Sequence, residues 1–383
     1  MIKILVVPLL RNLFLIPNTN RLIMNKIILF FIIQISIFIF ANPIIAEEYR
    51  LLKIVDGLYK PWGLTFIDNE NALITLKSGE IVKVNIPDQD YQKISHNLKI
   101  EEYGQGGLLD ILFKDNNVYV SYTEKRGNEK FSTSIALGEL SGDNIVFDNI
   151  FQSEPPIKDN IHFGSRLTIK DNHLYASIGE RRQGIATQDP SNHFGKIIRI
   201  NLDGTIPLDN PNFDNPQSLP EVYQIGLRNP QGMALSPVDN EIYITNHGPK
   251  GGDFFGRVIR GGNYGWDDVA WGGIDYDGSI IGDGSAWKPG YDKPIYRWIP
   301  SIAVSNIVFY KGDEFKDWEG DVLLASLKAQ KLIKLEYQDG KVSNEKIIFD
   351  KKGRLRDVEI NNKGEIFVII DDANGSFWQL KKS

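Results

Sequence analysis

The chain has 383 residues, of which 42% are hydrophobic and 24% charged, and these are the proportions of a folded globular protein rather than a disordered one. A formal net charge of −6, with no segment concentrating lysine and arginine, excludes a nucleic-acid surface as the expectation. Cysteine is absent, which excludes disulfides, thiolate metal sites and thiol nucleophiles.

In chain order, the first feature is a leader. Asn25 and Lys26 follow an internal Met24, and Ile27–Phe40 is an almost unbroken apolar run. Small residues close it at Ala41 and Ala46, and a polar chain opens at Glu47. This is the pattern of a secretory signal over about residues 24–46, with residues 1–23 as an upstream extension. The run is short for a membrane span of ~20 residues, although an uncleaved N-terminal anchor has the same composition. The expectation is export, to the periplasm or beyond, with no stable membrane association after cleavage. Residues 47–383 then form one domain.

That domain shows strand-and-turn chemistry throughout: apolar or alternating runs of four to eight residues, punctuated by Gly, Asn, Asp and Pro. One phrase recurs six times, a short apolar strand, a polar turn and a second strand, often followed by a third. The copies start at Trp62, Leu108, Arg166, Gln231, Ala303 and Asp357. Fourth strands follow the first five copies at Tyr91–Leu98, Ile145–Gln152, Glu221–Ile225, Ile295–Trp298 and Lys346–Phe349. The sixth copy has none, while Tyr49–Val55 stands spare at the front. One missing strand and one spare strand predict an all-β, six-bladed β-propeller whose ring is closed by the N-terminal strand. A pair of β-sandwiches or a β-solenoid is the alternative, and unequal spacing weighs against the solenoid. The Gly251–Pro294 insertion reads as a long functional loop.

Several residues could carry chemistry. His162 leads into the first strand of the third copy and Glu180 follows its second strand. Antiparallel pairing would bring the carboxylate against the imidazole, as a general base requires, although a surface His–Glu pair has the same signature. Arg228 and Asn229, held by Pro230, Lys328, and Arg354 and Arg356 all fall at equivalent strand edges. Several cations aimed at one axis of a net-acidic protein suit an anionic ligand, with solvated charge or pairing to Asp357 as the plainer reading. The turn His247-Gly-Pro-Lys-Gly-Gly-Asp253 offers carbonyl oxygens of the kind calcium takes.

These segments resemble the soluble glucose/sorbosone dehydrogenase family, the PQQ-dependent aldose sugar dehydrogenases, from about Leu51 to Leu380. The resemblance rests on Pro61-Trp-Gly-Leu64, Gly104-Gln-Gly-Gly-Leu-Leu-Asp110, His162-Phe-Gly-Ser-Arg166, Gly226-Leu-Arg-Asn-Pro-Gln-Gly232, His247-Gly-Pro249, Asn263-Tyr-Gly-Trp266 and Arg354-Leu-Arg-Asp-Val358. It implies an oxidoreductase that oxidises the C1 hydroxyl of an aldose to a lactone by hydride transfer to PQQ and passes electrons to an external acceptor. It implies His162 as base, supported by Glu180, with Arg228 steadying charge on the quinone. Gln105, Arg228, Asn229, Lys328, Arg354 and Arg356 would bind the cofactor, and the Gly248 and Pro249 carbonyls would hold a calcium ion. Two positions depart from the family pattern. Phe254 stands where a calcium loop usually has Glu, which argues against a second calcium. Ile161 precedes the base where glucose oxidisers carry an acid, which argues for another or broader aldose range. A calcium-dependent lactonase and a non-catalytic carbohydrate- or protein-binding propeller remain the other functional readings, and the sequence leaves the oligomeric state open.

Overall fold

The computed structural model describes residues 49–383, and the leader expected over residues 24–46 lies outside them. No helix among the described residues is long and apolar enough to cross a membrane. Helix there amounts to two 3₁₀ turns, Gly184–Gln188 and Lys316–Trp318, and strands make up the rest of the regular structure.

The strands run β1 (Tyr49–Leu58), β2 (Pro61–Phe66), β3 (Asn71–Leu76), β4 (Ile81–Asn85), β5 (Asp90–His96), β6 (Leu108–Lys114), β7 (Asn117–Lys125), β8 (Phe131–Ser141) and β9 (Asn144–Gln152). They continue with β10 (Gly164–Lys170), β11 (His173–Ile178), β12 (Lys196–Asn201), β13 (Val222–Gln224), β14 (Pro230–Leu235), β15 (Ile242–Asn246), β16 (Asp253–Arg257) and β17 (Tyr296–Trp298). The last are β18 (Val304–Phe309), β19 (Val322–Ser326), β20 (Lys331–Gln338), β21 (Lys341–Asp350), β22 (Leu355–Ile360), β23 (Ile366–Ile370) and β24 (Gly375–Lys382).

They form four-stranded antiparallel sheets β10–β13, β14–β17 and β18–β21, and a fourth in the order β1-β24-β23-β22. An eight-stranded sheet runs β2-β3-β4-β5-β9-β8-β7-β6, joined at its centre by a short parallel contact of Ser95 with Asn144 and His96 with Ile145. The spare first strand, β1, pairs antiparallel with the last, Tyr49 opposite Lys382 through Leu58 opposite Gly375. Each outer strand falls where the turn punctuation predicts it, within a few residues. One strand was not foreseen. β16 lies in what reads as a turn, because Phe254-Phe255 is a short apolar pair between Asp253 and Gly256, directly after Gly251-Gly252.

Strand period explains the packing. The second strands are buried along most of their length, Ile366–Ile370 in β23 and Val322–Ser326 in β19 throughout, which is how a strand covered on both faces reads. Apolar side chains fill the seams between neighbouring sheets. Leu73 and Ile81 meet Val118 and Val120, Leu174 and Ile198 meet Tyr119 and Ile135, and Phe367 and Phe377 meet Ile74 and Val82. Each such side chain, fully buried, contributes about 1.5–3 kcal/mol. The first strands contact one another in turn, β2 with β6, β6 with β10, β10 with β14, β14 with β18, β18 with β22 and β22 with β2. They therefore enclose a common axis, and that axis carries the site.

Candidate functional site

Arg166 lies across the axis, 1% exposed. Its Nη1 donates to Asp110 on β6 at 2.7 Å and to Asp357 on β22 at 2.8 Å, its Nε to the Gln231 carbonyl on β14 at 2.9 Å, and its Nη2 to the Arg356 carbonyl at 3.0 Å. Its guanidinium also sits 4.4 Å from the ring centre of Trp62 on β2. Asp357 further accepts from Leu64 N at 3.0 Å and Asn306 Nδ2 at 2.6 Å, so β2 and β18 join the same network. On one side of this plug is a cavity of about 480 Å³, whose walls are the ends and connecting loops of the first strands.

His162, Gln105, Arg228, Asn229, Arg354 and Arg356 all line that cavity. His162 sits two residues before β10, and Glu180 two residues after β11. Because Gly164 pairs with Ile178 across the antiparallel ladder, the two side chains meet, Nδ1 to Oε1 at 2.5 Å. His162 has a left-handed backbone, φ 54°, which turns its ring out of strand direction. Gly179 makes room for this turn, since a Cβ there would collide with the His162 carbonyl oxygen. Gln105 Oε1 accepts the His162 amide at 2.9 Å, and Gly184 N donates to the second Glu180 oxygen at 3.0 Å.

Burial, helped by the Arg228 charge, holds the His162 imidazole below its usual value, although the Glu180 hydrogen bond works upward. Burial pushes Glu180 up, but its bond to His162, the charge that ring carries when protonated, the Gly184 amide and the Arg228 charge together leave it low. The pair is thus a neutral imidazole tied at Nδ1 to a carboxylate, with Nε2 left as the basic nitrogen.

Arg228 is 5% exposed, and no carboxylate lies at ion-pair distance from it among the described residues. It donates to the Gly248 carbonyl at 3.2 Å and lies 5.3 Å from the Trp266 ring centre. Arg356 pairs with Asp371 at 2.6 Å and donates to Gln231 Oε1 at 3.0 Å. Asp371, not Asp357, is therefore the acid of this arginine, because Asp357 is committed to Arg166. Arg354 stands 3.8 Å from Asp371. Asn229 Oδ1 accepts from Gly164 N at 3.1 Å.

Lys328 is exposed and absent from the cavity wall, where its neighbour Leu327 stands instead. Gly248 and Pro249 border a small adjoining pocket together with Trp266 and Trp271. Their carbonyls are hard oxygen donors, but calcium takes six to eight oxygens, and no cluster of three His, Asp or Glu stands ready among the described residues. Phe254 is buried against Tyr264, with 4.7 Å between ring centres, so it serves the core and no ion.

Sequence reasoning missed Lys60, Lys77, Tyr276 and Asp371, all in the cavity wall. Lys60 and Lys77 share Glu102, at 2.8 and 3.5 Å. Lys77 directly follows β3 as Leu327 directly follows β19, so its counterpart in the fifth copy is Leu327, which also lines the cavity, and not Lys328 one residue further on. Tyr276 belongs to the long insertion, where no repeat could point to it. Five cations against Asp371 and Asp372 in the wall and Glu102 behind it leave the cavity net positive and suited to anions, and the amides of Gln105, Asn229 and Gln231 add hydrogen-bonding groups. This donor set fits a planar polycarboxylate.

The fold and site together define an all-β protein with an anion-receiving axial cavity and a His–Glu pair at its wall. The profile of the Glucose / Sorbosone dehydrogenase family matches residues 58–379, and the chain belongs to that family. It is 33% identical over 337 residues to aldose sugar dehydrogenase YliI of Escherichia coli, covering 85% of this chain and 91% of that one. It is 25% identical over 425 residues to quinoprotein glucose dehydrogenase B of Acinetobacter calcoaceticus, covering 86% and 87%. The crystal structure of the soluble aldose sugar dehydrogenase of Escherichia coli in its apo-form superposes with a TM-score of 0.82 at 30% identity, over 88% of this chain and 100% of that one.

Proposed function

We propose that the protein is an exported PQQ-dependent aldose dehydrogenase built on a six-bladed propeller closed by β1. As a member of its family it is an oxidoreductase acting on sugars. The blade count is supported by the cyclic contacts of six first strands and by counting the eight-stranded sheet as two blades joined at β5 and β9. The β1–β24 pairing supports the closure. Export to the periplasm rests on the leader pattern of residues 24–46.

One observation carries the functional reading: Arg228, a buried guanidinium with no carboxylate at ion-pair distance among the described residues, opens onto the same cavity as the His162–Glu180 pair. A buried unpaired cation is costly and calls for an anionic ligand. PQQ would be held by Arg228, Arg354 and Arg356 with Gln105 and Asn229 and would supply the hydride acceptor, and the Gly248 and Pro249 carbonyls would give a calcium ion, serving as Lewis acid, two of its oxygens. Lys328 would join this set only by swinging inward. His162 Nε2 takes the proton of the C1 hydroxyl as the C1–H bond breaks and the carbonyl of the lactone forms. Glu180 holds the ring in the required tautomer and steadies the imidazolium. Arg228 stabilises negative charge that develops beside it. The cationic wall disfavours the lactonase reading, which needs carboxylates around a bare divalent ion.

Reconstitution tests this. Metal-free protein is given PQQ with and without calcium, the quinone absorbance is followed, and an aldose panel with an artificial electron acceptor is added. Calcium-dependent quinone binding followed by aldose-dependent bleaching is expected. Absence of quinone binding at every calcium concentration overturns the reading.

A further inference from the structure

The charges of the cavity explain an anionic cofactor but leave a neutral sugar little to rest on. Guanidinium and ammonium groups bind hydroxyls weakly against water, and a pyranose also presents faces of C–H bonds that favour an apolar partner. Two aromatic rings in the cavity wall, Trp62 and Phe163, are already covered, at 4% and 3% exposure. The third, Tyr276, is 64% exposed, although its ring centre lies only 5.8 Å from the buried Arg228 guanidinium. Other apolar side chains are exposed as well, but among the described residues Tyr276 alone of them lines this cavity, where its ring offers a face to an occupant.

Its support is firm. Ile274 and Ile280 bridge antiparallel, Asp275 N donates to the Ser279 carbonyl at 2.9 Å, and Gly278 N donates to the Asp275 carbonyl at 3.0 Å. The Tyr276 amide is held by Asp275 Oδ1 at 2.6 Å, and Gly278 takes the left-handed turn position, φ 92°. The ring is thus presented from the tip of a cross-tied turn, on the Arg228 side of the cavity that His162 also lines.

We propose that Tyr276 is the aromatic platform of the sugar subsite: one face of the aldose stacks on its ring, which contributes to aldose binding rather than to the chemical step. This rests on the aldose dehydrogenase reading above. Tyr276 is a sugar-contacting residue, and a planar ring with two torsions supplies contact area at low entropic cost. The platform selects for the C–H face of the sugar rather than for any one hydroxyl, which suits a broad aldose range.

The test compares wild type with Tyr276→Ala and Tyr276→Phe in the full protein, each reconstituted with PQQ and calcium. Steady-state kinetics with an aldose series, aldose affinity by calorimetry and quinone affinity by absorbance titration are measured together. Tyr276→Ala should raise KM about tenfold and weaken aldose binding to match, with kcat within about twofold and quinone affinity unchanged. Tyr276→Phe should behave as wild type. An unchanged KM in Tyr276→Ala overturns the inference. So does a parallel loss of quinone affinity, which would give the ring to the cofactor, or a Tyr276→Phe defect as large as that of alanine, which would give the role to the hydroxyl. Wild type that binds quinone but no aldose overturns the platform and the aldose reading together, whereas the other failures leave the aldose reading standing.

Discussion

His162 and Glu180 are separated by 18 positions in the chain and joined by one hydrogen bond. The bond sets the basicity of Nε2, and its contribution can be isolated. Burial lowers the imidazole pKa and Glu180 raises it, so Glu180→Gln removes an upward influence. The folded pKa of His162 then falls further, and the acid limb of kcat/KM shifts to lower pH. A weaker base also transfers the proton less well, and the plateau should drop by about tenfold or more. His162→Ala should lose ~10²–10⁴-fold in kcat while binding quinone as before. Both are read from pH–rate profiles alongside quinone titration. An acid limb that stays in place in Glu180→Gln would show that His162 is not the titrating base.

The element that presents the Gly248 and Pro249 carbonyls is held by Asp253, a fully buried residue at the start of β16. One of its oxygens accepts Gly248 N at 2.9 Å. The other accepts Ser301 Oγ at 2.8 Å, Ile302 N at 3.0 Å and Ala303 N at 2.7 Å. A single carboxylate thus staples the turn after β15 to the segment before β18. Asp253→Ala leaves these donors without partners and should cost roughly 2–5 kcal/mol, while Asp253→Asn keeps one acceptor and should cost less. Denaturant unfolding measures both. Equal stability of Asp253→Ala and wild type would remove the staple from the account of this turn. Turn chemistry in the sequence pointed to carbonyl ligands here, and the carboxylate that orders them became visible only with β16.

At the scale of the molecule, Arg166 and the two acids Asp110 and Asp357 bind the first strands to one another around the axis. Arg166→Met leaves two buried carboxylates without a cation and should cost about 3–5 kcal/mol. Burial raises the Asp110 carboxyl to about 6, with the Asp357 charge adding to it and Arg166 opposing, and Asp357 is raised as well, burial again being the largest cause. A carboxyl raised in the folded state above its unfolded value near ~3.9 binds protons more tightly when folded. Its contribution is therefore complete below that value and is lost as pH rises through the folded pKa. Without Arg166 both folded values climb, so the loss in the variant should deepen and extend to higher pH. Thermal unfolding of both proteins from pH 4 to 8 tests this. A constant difference in Tm across that range would count against it.

The strands were legible because apolar runs of four to eight residues, each ended by Gly, Asn or Asp, are a local signal. The unpaired Tyr49–Val55 run revealed its partner by the same count. The cationic character of the site was legible too, since Arg228, Arg354 and Arg356 fall at equivalent strand edges. β16 escaped because two phenylalanines between Asp253 and Gly256 carry no period, and Tyr276 because an insertion has no repeat to align it. The pairing of charges belonged to tertiary structure alone. Whether Asp357 meets Arg356 or Arg166, whether Lys328 or Lys77 lines the cavity, and which arginine is left without an acid depend on how the strands converge on one axis. Burial then decides which of those charges need a partner, and no local pattern encodes that.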